Sequence, residues 1–399
     1  MAFLDPGRVI TIGESATPII EGEPFSHPGF SEVVALVRRV FPDTPMEITT
    51  NGRMLTGEII ALLEELGGIV VHVSLNSASE RGRGLLMQET QEESRRTIAG
   101  VGLLAASQVR FSGSLVAMPN LVGWDDIRET IVFLAEKGAT AVGVVVPAFS
   151  SRADPAAFPD SERIYAEVRE FVGGLPPDTP CPVLVEPSYV SDLVPAVSGV
   201  VKGSSAWMAG IRRDDIFETI NGRRPRSRVE AWNMLLPAGE VVAGIRRDGG
   251  VLSVSWTNRR EGDAGVTMEY DFDPYRAEMV RDTVLGHQGY SVLLASELGH
   301  AVLRRALQIM DVAEPQAEVV MVKNRTFGGS IKAAGLLTVD DYLESYNAWR
   351  EERCTPSRNG AAPALLIVPT ESFDSRGFDL RRVHVSELEK ATGVPVLVR

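Results

Sequence analysis

The chain has 399 residues, 44% hydrophobic and 23% charged, a composition of folded domains rather than of disorder, and its length suggests two or three of them. Its formal charge of −13 argues against a general nucleic-acid binder, which needs cations to displace phosphate counterions. Two cysteines, Cys181 and Cys354, exclude a disulfide framework, a cysteine-rich zinc site and three thiolates for an iron–sulfur cluster.

The opening stretch, MAFLDPGRVITIGES, has no basic region followed by an apolar run, and no run of about 18 apolar residues occurs. Neither a signal peptide nor a membrane span is expected, and the cytoplasm is the natural compartment. Residues 9–13 (VITIG) read as a strand and 29–40 as a helix, with Val33, Val34, Leu36, Val37 and Val40 spaced for one face. Residues 46–50 (MEITT) read as a strand before the turn Asn51-Gly52, and 56–66 as a helix capped by Thr56 and ended by Gly67-Gly68. Strands at 69–75, 109–117 and 141–146 alternate with helices at 89–106 and 124–137. Such alternation implies a parallel sheet covered by helices, either open or part of a barrel.

Residues 160–172 read as a helix followed by a proline-marked connector. From 183 to about 256 the character changes to short β runs with many glycines and one helical stretch, 227–236. Beyond 270 the α/β alternation returns, with helices at 275–285, 300–310 and 339–350 and strands at 291–295, 319–322, 364–368 and 394–398. No internal repeat or low-complexity tract is present.

Gly100-Val101-Gly102-Leu103-Leu104-Ala105 fits a loose GxGxxA pattern, but a helix precedes it and a strand follows. A dinucleotide site needs the reverse order, so that phosphate meets a helix N-terminus. The chain has no GxxxxGK[ST], HExxH or GxSxG. Glu21-Gly22-Glu23-Pro24 follows the first strand and precedes a helix, where parallel α/β folds bind ligands. Its carboxylates suit an ammonium group, although a solvated loop fits the spacing too. Thr50, Asn51, Ser74 and Asn76 also follow strands, so three successive strand ends would place small polar groups on one rim. His72, inside an apolar strand, reads as a satisfied core histidine.

The order EGEPFSHPGF, helix, FPDTPMEITTNG, helix, VVHVSLNS resembles the middle of a radical S-adenosylmethionine (SAM) barrel. That family carries a Gly-Gly-Glu segment that binds the methionine amino group. The resemblance makes Glu23 the amino-binding carboxylate, with Glu21, Gly22 and Pro24 around it and Thr50, Asn51, Ser74 and Asn76 near the SAM edge. It implies a partial (β/α) barrel over residues 1–182. It also implies a 4Fe–4S cluster, yet no cysteine precedes Cys181 and the CxxxCxxC loop is absent, as is the first βα unit. In an intact form the cluster would cleave SAM reductively to a 5′-deoxyadenosyl radical acting on an unknown substrate.

Residues 183–258 resemble a bacterial PDZ module, through Gly203-Ser204-Ser205-Ala206, Ala209-Gly210-Ile211 and Ile220-Asn221-Gly222. Such modules bind extended peptide segments by strand addition. A fixed spacer that binds no free peptide is the other reading. Residues 259–399 resemble the C-terminal α/β domain of unknown function family 512, through VKNRTFGGSIKAAGLLTVDDYL. There Gly328-Gly329 is either a tight turn or a ligand-contacting loop with Phe327, and Lys323, Asn324 and Arg325 suggest an anion site. The sequence therefore supports a SAM-binding radical enzyme lacking its cluster segment. The alternative is a non-catalytic scaffold with PDZ-like peptide recognition. Neither nucleic acid nor membrane is expected as a partner.

Overall fold

A computed structural model of the chain describes residues 9–13, 22–154, 161–176, 179–260, 262, 264–312, 316–353 and 363–399. The N-terminal region runs β1 (Ile10–Ile12), α1 (Phe30–Val40), β2 (Met46–Thr50), α2 (Gly57–Leu66), β3 (Ile69–Ser74), α3 (Glu80–Met87) and α4 (Gln91–Ala105). It continues through β4 (Arg110–Val116), α5 (Pro119–Val122), α6 (Trp124–Glu136), β5 (Val142–Val145), α7 (Ser161–Gly173) and β6 (Val183–Glu186). The strands form one parallel sheet in the order β1-β2-β3-β4-β5-β6.

In a parallel sheet whose strands follow chain order, right-handed crossovers put every helix on the same face. The burial pattern agrees. Met46, Ile48, Val71, Val73, Phe111, Leu115, Val142 and Val144 lie in one apolar core with Val34, Leu63, Leu104 and Ile131 of the helices. The intervening residues of β2–β4 are Glu47, Thr49, Val70, His72, Ser74, Ser112, Ser114 and Val116, which are only partly buried, and Arg110, which is exposed. The face away from the helices is thus polar and open. A six-stranded parallel sheet with its helices on one face is consistent with part of a β/α barrel.

Caps fix the helix starts. Thr56 Oγ accepts from Ile59 N, and Thr90 with Glu93 forms a reciprocal capping box that opens α4. α3 was not expected from the sequence, which carries two glycines there. Its start is set by Ser79, whose hydroxyl accepts from Gly82 N at 2.8 Å.

The second region contains β7 (Gly199–Val200), α8 (Ser205–Met208), β8 (Ile216–Ile220), α9 (Arg228–Leu235), β9 (Gly239–Arg247), β10 (Gly250–Asn258) and β11 (Val266–Thr267). β10-β9-β8 form an antiparallel sheet and β11 pairs with β7. This region has its own core, built on Val197, Phe217, Ile220, Ala231, Leu235, Ile245 and Trp256.

The third region has α10 (Pro274–Gly286), β12 (Ser291–Ser296), α11 (Glu297–Ile309), β13 (Ala317–Val322), α12 (Val339–Arg353), β14 (Leu365–Val368), α13 (Ser386–Thr392) and β15 (Val396–Val398). A parallel sheet in the order β13-β12-β14-β15 lies between two apolar layers. Tyr342, Tyr346 and Trp349 of α12, at i, i+4 and i+7, fill one of them.

Two seams differ from the sequence expectation. Residues 183–186 belong to the first sheet, because Val183–Glu186 pairs in parallel with Val142–Val145. Ala264, Val266 and Met268 pack into the core of the middle region, which therefore runs past 258. No helix among the described residues is long and apolar enough to cross a membrane.

Candidate functional site

The first cluster forms where the loop after β1 meets the end of β2. Gly13 closes β1 at φ +79°, and a Cβ there would stand 2.6 Å from the Thr49 carbonyl oxygen and 2.9 Å from Pro24 Cγ. Only glycine allows that close approach, which brings the Pro24–Ser26 turn against the strand. Pro24 starts the turn, and Glu23 caps it by accepting from Phe25 N at 3.3 Å.

The same Glu23 carboxylate reaches β2. Its Oε1 accepts from Thr50 Oγ1 at 2.7 Å and its Oε2 from Asn51 N at 2.8 Å. Thr50 is buried, and its hydroxyl also accepts from Gly52 N at 3.1 Å. The Asn51 side chain turns away and accepts from Arg53 N at 2.9 Å. Glu23, Thr50 and Asn51 are therefore one unit. Gly22 has open space around it, and Glu21 lies outside the described residues.

Ser74 and Asn76 sit at the end of β3. Ser74 Oγ lies 3.2 Å from Ser114 Oγ on β4. Asn76 adopts φ +63°, accepts from Val116 N at 2.9 Å and directs its amide at Met87 Sδ, 3.3 Å away. Arg83, fully buried on α3, holds this turn. It forms a bidentate pair with Glu89 at 2.7 and 2.8 Å and donates to the carbonyls of Leu75 and Ser77. Nothing in the sequence singles out Arg83, because the need for a buried cation appears only once the carbonyls of 75 and 77 converge.

A second group crosses the open face. His72 pairs with Thr49 on one side and Ser112 on the other in strand register. Its Nδ1 lies 2.6 Å from Ser112 Oγ and its Nε2 3.5 Å from Glu47 Oε2. The reading of His72 as a core residue is thus corrected: strand alternation turns it to the polar face. Its hydrogen bond holds the Glu47 carboxyl below the usual carboxylate range. Glu186, at the end of β6, is exposed, but the surrounding protein raises its carboxyl, with His72 opposing.

The glycine-rich loop of the third region is a clasp. Ser151 N and Oγ donate to Phe327 O at 2.8 and 2.9 Å. Ser330 N donates to Phe149 O at 2.9 Å and Phe149 N to Ser330 Oγ at 2.9 Å. Gly328 and Gly329 have φ +63° and +65°, and a Cβ on Gly329 would overlap the Phe149 carbonyl oxygen. Asn324 turns the loop: its Oδ1 accepts from Phe327 N at 2.9 Å, and its amide donates to Leu336 O at 2.6 Å. Arg325 pairs with Glu344 at 2.7 Å, and Lys323 is exposed. Of the residues picked out as a loop site, Phe327, Gly328 and Gly329 thus join the third region to the loop after β5.

SAM fits the first cluster at one point. A carboxylate offers about four acceptor positions. Glu23 uses three, so it keeps capacity for an ammonium group. A 4Fe–4S cluster does not fit the donors of this chain. No three His, Cys, Asp or Glu side chains among the described residues are placed to hold a metal. Cys181 is buried, and burial pushes its thiol up to about 12, away from the thiolate a metal needs. Cys354 lies outside the described residues.

No protein-family model matches the chain, and no curated protein matches it. Among solved structures, Streptococcus suis SuiB bound to precursor peptide SuiA is similar at TM-score 0.35 and 14% identity, over 45% of this chain and 38% of that one. SuiB bound to S-adenosylmethionine gives TM-score 0.33 and 14% identity, over 44% and 38%. The chain thus spans 38% of the length of the structures it matches.

Proposed function

We propose that this chain is a radical SAM-type protein that binds S-adenosylmethionine at the rim formed by β1, β2 and β3. The carrying observation is the Glu23 carboxylate, fixed at the end of β2 by Thr50 and Asn51 with acceptor capacity left over. The methionine ammonium would sit on Glu23. Thr50 and Asn51 would keep that carboxylate oriented, and Gly22 would leave room beside it. Ser74 and Asn76 would form the next stretch of rim, rigidified by the buried Arg83–Glu89 pair. SAM in this family supplies a radical precursor, and the two cysteines of this chain are too few for the three thiolates of the cluster that would cleave it.

The middle region reads as a PDZ-like spacer in this proposal. Arg228, at the start of α9, pairs with Asp192 at 2.8 Å and with the buried Asp271 at 3.4 Å. Arg226 pairs with Glu278 of α10 at 2.6 Å. These ties to flanking segments favour a fixed module over a free peptide reader. The cytoplasm, where a buried free thiol such as Cys181 persists, is the compartment that goes with this reading. Calorimetric titration of SAM into the chain tests the proposal, with Glu23→Gln as the informative variant.

A further inference from the structure

The clasp closes over a cavity of about 1040 Å³ between the ends of β4–β6 and the third region. Val116, Val145 and Glu186 line it from the sheet. Met118, Phe149, Met268 and Ile331 supply apolar surface, and Ile331 and its neighbour Lys332 come from the clasp itself. A mostly apolar hollow between domains with a few convergent polar groups is the usual form of a small-molecule site.

Its charges are unbalanced. Among the described residues, three side chains of the Asp, Glu, Lys and Arg types line it: Glu186, Glu269 and Lys332. Lys332 is already engaged, with Nζ 3.3 Å from Glu162 and 5.4 Å from the centre of the Tyr189 ring. Among the described residues, neither the Glu186 nor the Glu269 carboxylate has a hydrogen-bond or ion-pair partner. The basic side chain that acts on Glu186 is His72, which is held between Ser112 and Glu47. The protein around the exposed Glu186 raises its carboxyl, and a bound cation would oppose that shift.

We propose that this cavity binds an apolar molecule carrying a primary ammonium group, with Glu186 and Glu269 taking the ammonium and Met118, Phe149, Met268 and Ile331 covering its hydrocarbon part. The proposal stands apart from SAM binding at Glu23, since none of its residues belongs to that cluster. A positive charge is selected because, among the described residues of the wall, the one cation, Lys332, is paired with Glu162 while the two carboxylates have no partner.

The test is calorimetric titration of the whole chain with n-octylamine, n-octanol and n-octanoate, three ligands of similar length and different charge. The expected result is octylamine binding at least about tenfold tighter than octanol, with octanoate weakest. Glu186→Gln should lower octylamine affinity at least about tenfold and leave octanol unchanged. Glu269→Gln provides the same reading if Glu186→Gln fails to fold. Glu240→Gln, at an exposed position of β9, should change nothing. Octanoate binding as well as octylamine overturns the proposal. So does an equal loss in Glu240→Gln, which would reveal attraction to a chain of net charge −13.

Discussion

Glu23 accepts the hydroxyl hydrogen of Thr50 at 2.7 Å across 27 positions of sequence, and so ties the loop after β1 to the end of β2. The neighbouring bond from Asn51 N makes the same carboxylate responsible for two donors on the rim. Glu23→Ala removes both acceptors at once. It should cost about 1–3 kcal/mol in denaturant unfolding, because the buried Thr50 hydroxyl and the partly buried Asn51 N lose their partner. Thr50→Val should cost less, and the double variant should fall short of the sum, since the two share one interaction. Fully additive losses would show that Glu23 and Thr50 do not act together.

Arg83 and Glu89 form an ion pair with side-chain exposures of 0% and 4%. Breaking such a pair strands a charge in the interior. Arg83→Met should therefore destabilise the chain by about 3–5 kcal/mol. The double variant Arg83→Met, Glu89→Leu should recover much of that loss, because no lone carboxylate remains. Chemical unfolding of the three proteins measures it, and no recovery in the double variant would mean that the bonds from Arg83 to the carbonyls of Leu75 and Ser77 dominate.

The fold was legible where local patterning decides it, and the site only in part. Strands such as 46–50 and 69–75 announce themselves by runs of apolar and β-branched residues, and α4 by its Thr90–Glu93 cap. Val183–Glu186 is equally apolar, but its membership of the first sheet depends on pairing with residues about 40 positions earlier, for which a sequence has no local mark. His72 misled because an apolar strand suggests burial on both faces. The sheet buries only its helix side, and period-two alternation sends His72 with Val70 and Ser74 the other way. Glu23, Thr50 and Asn51 were visible as strand-end residues, yet their mutual bonding rests on the approach that Gly13 allows.

Gly329 tests the clasp. Its φ of +65° and the overlap a Cβ would make with Phe149 O leave no room for alanine. Gly329→Ala should detach the 327–333 loop from the loop after β5, with a backbone penalty of about 1–3 kcal/mol. Small-angle scattering should show a larger radius of gyration, and limited proteolysis should cut within residues 146–154. An unchanged scattering profile would mean that the ion pair of Lys332 with Glu162 suffices to hold the regions together.

Cys181 has 5% exposure and a thiol pushed up to about 12 by burial. Its alkylation by iodoacetamide at pH 8, followed by site-resolved mass spectrometry, should be at least about a hundredfold slower in the native than in the unfolded chain. The linkage has a definite sign. Below a pH of about 8.5 the thiol is neutral in both states and contributes nothing. Above it the unfolded chain loses the proton while the folded one keeps it, so stability falls from about pH 9 to about pH 12. Cys181→Ala should show a shallower alkaline loss. Rapid native alkylation at Cys181 would contradict the burial argument.

Calorimetric titration of SAM into the wild-type chain and into Glu23→Gln tests the proposed function most directly. Gln keeps an oxygen for Asn51 N but removes the charge an ammonium needs. The account predicts saturable one-to-one binding to the wild type and an affinity at least about tenfold lower in Glu23→Gln. No binding to the wild type, or equal binding to both, would contradict it.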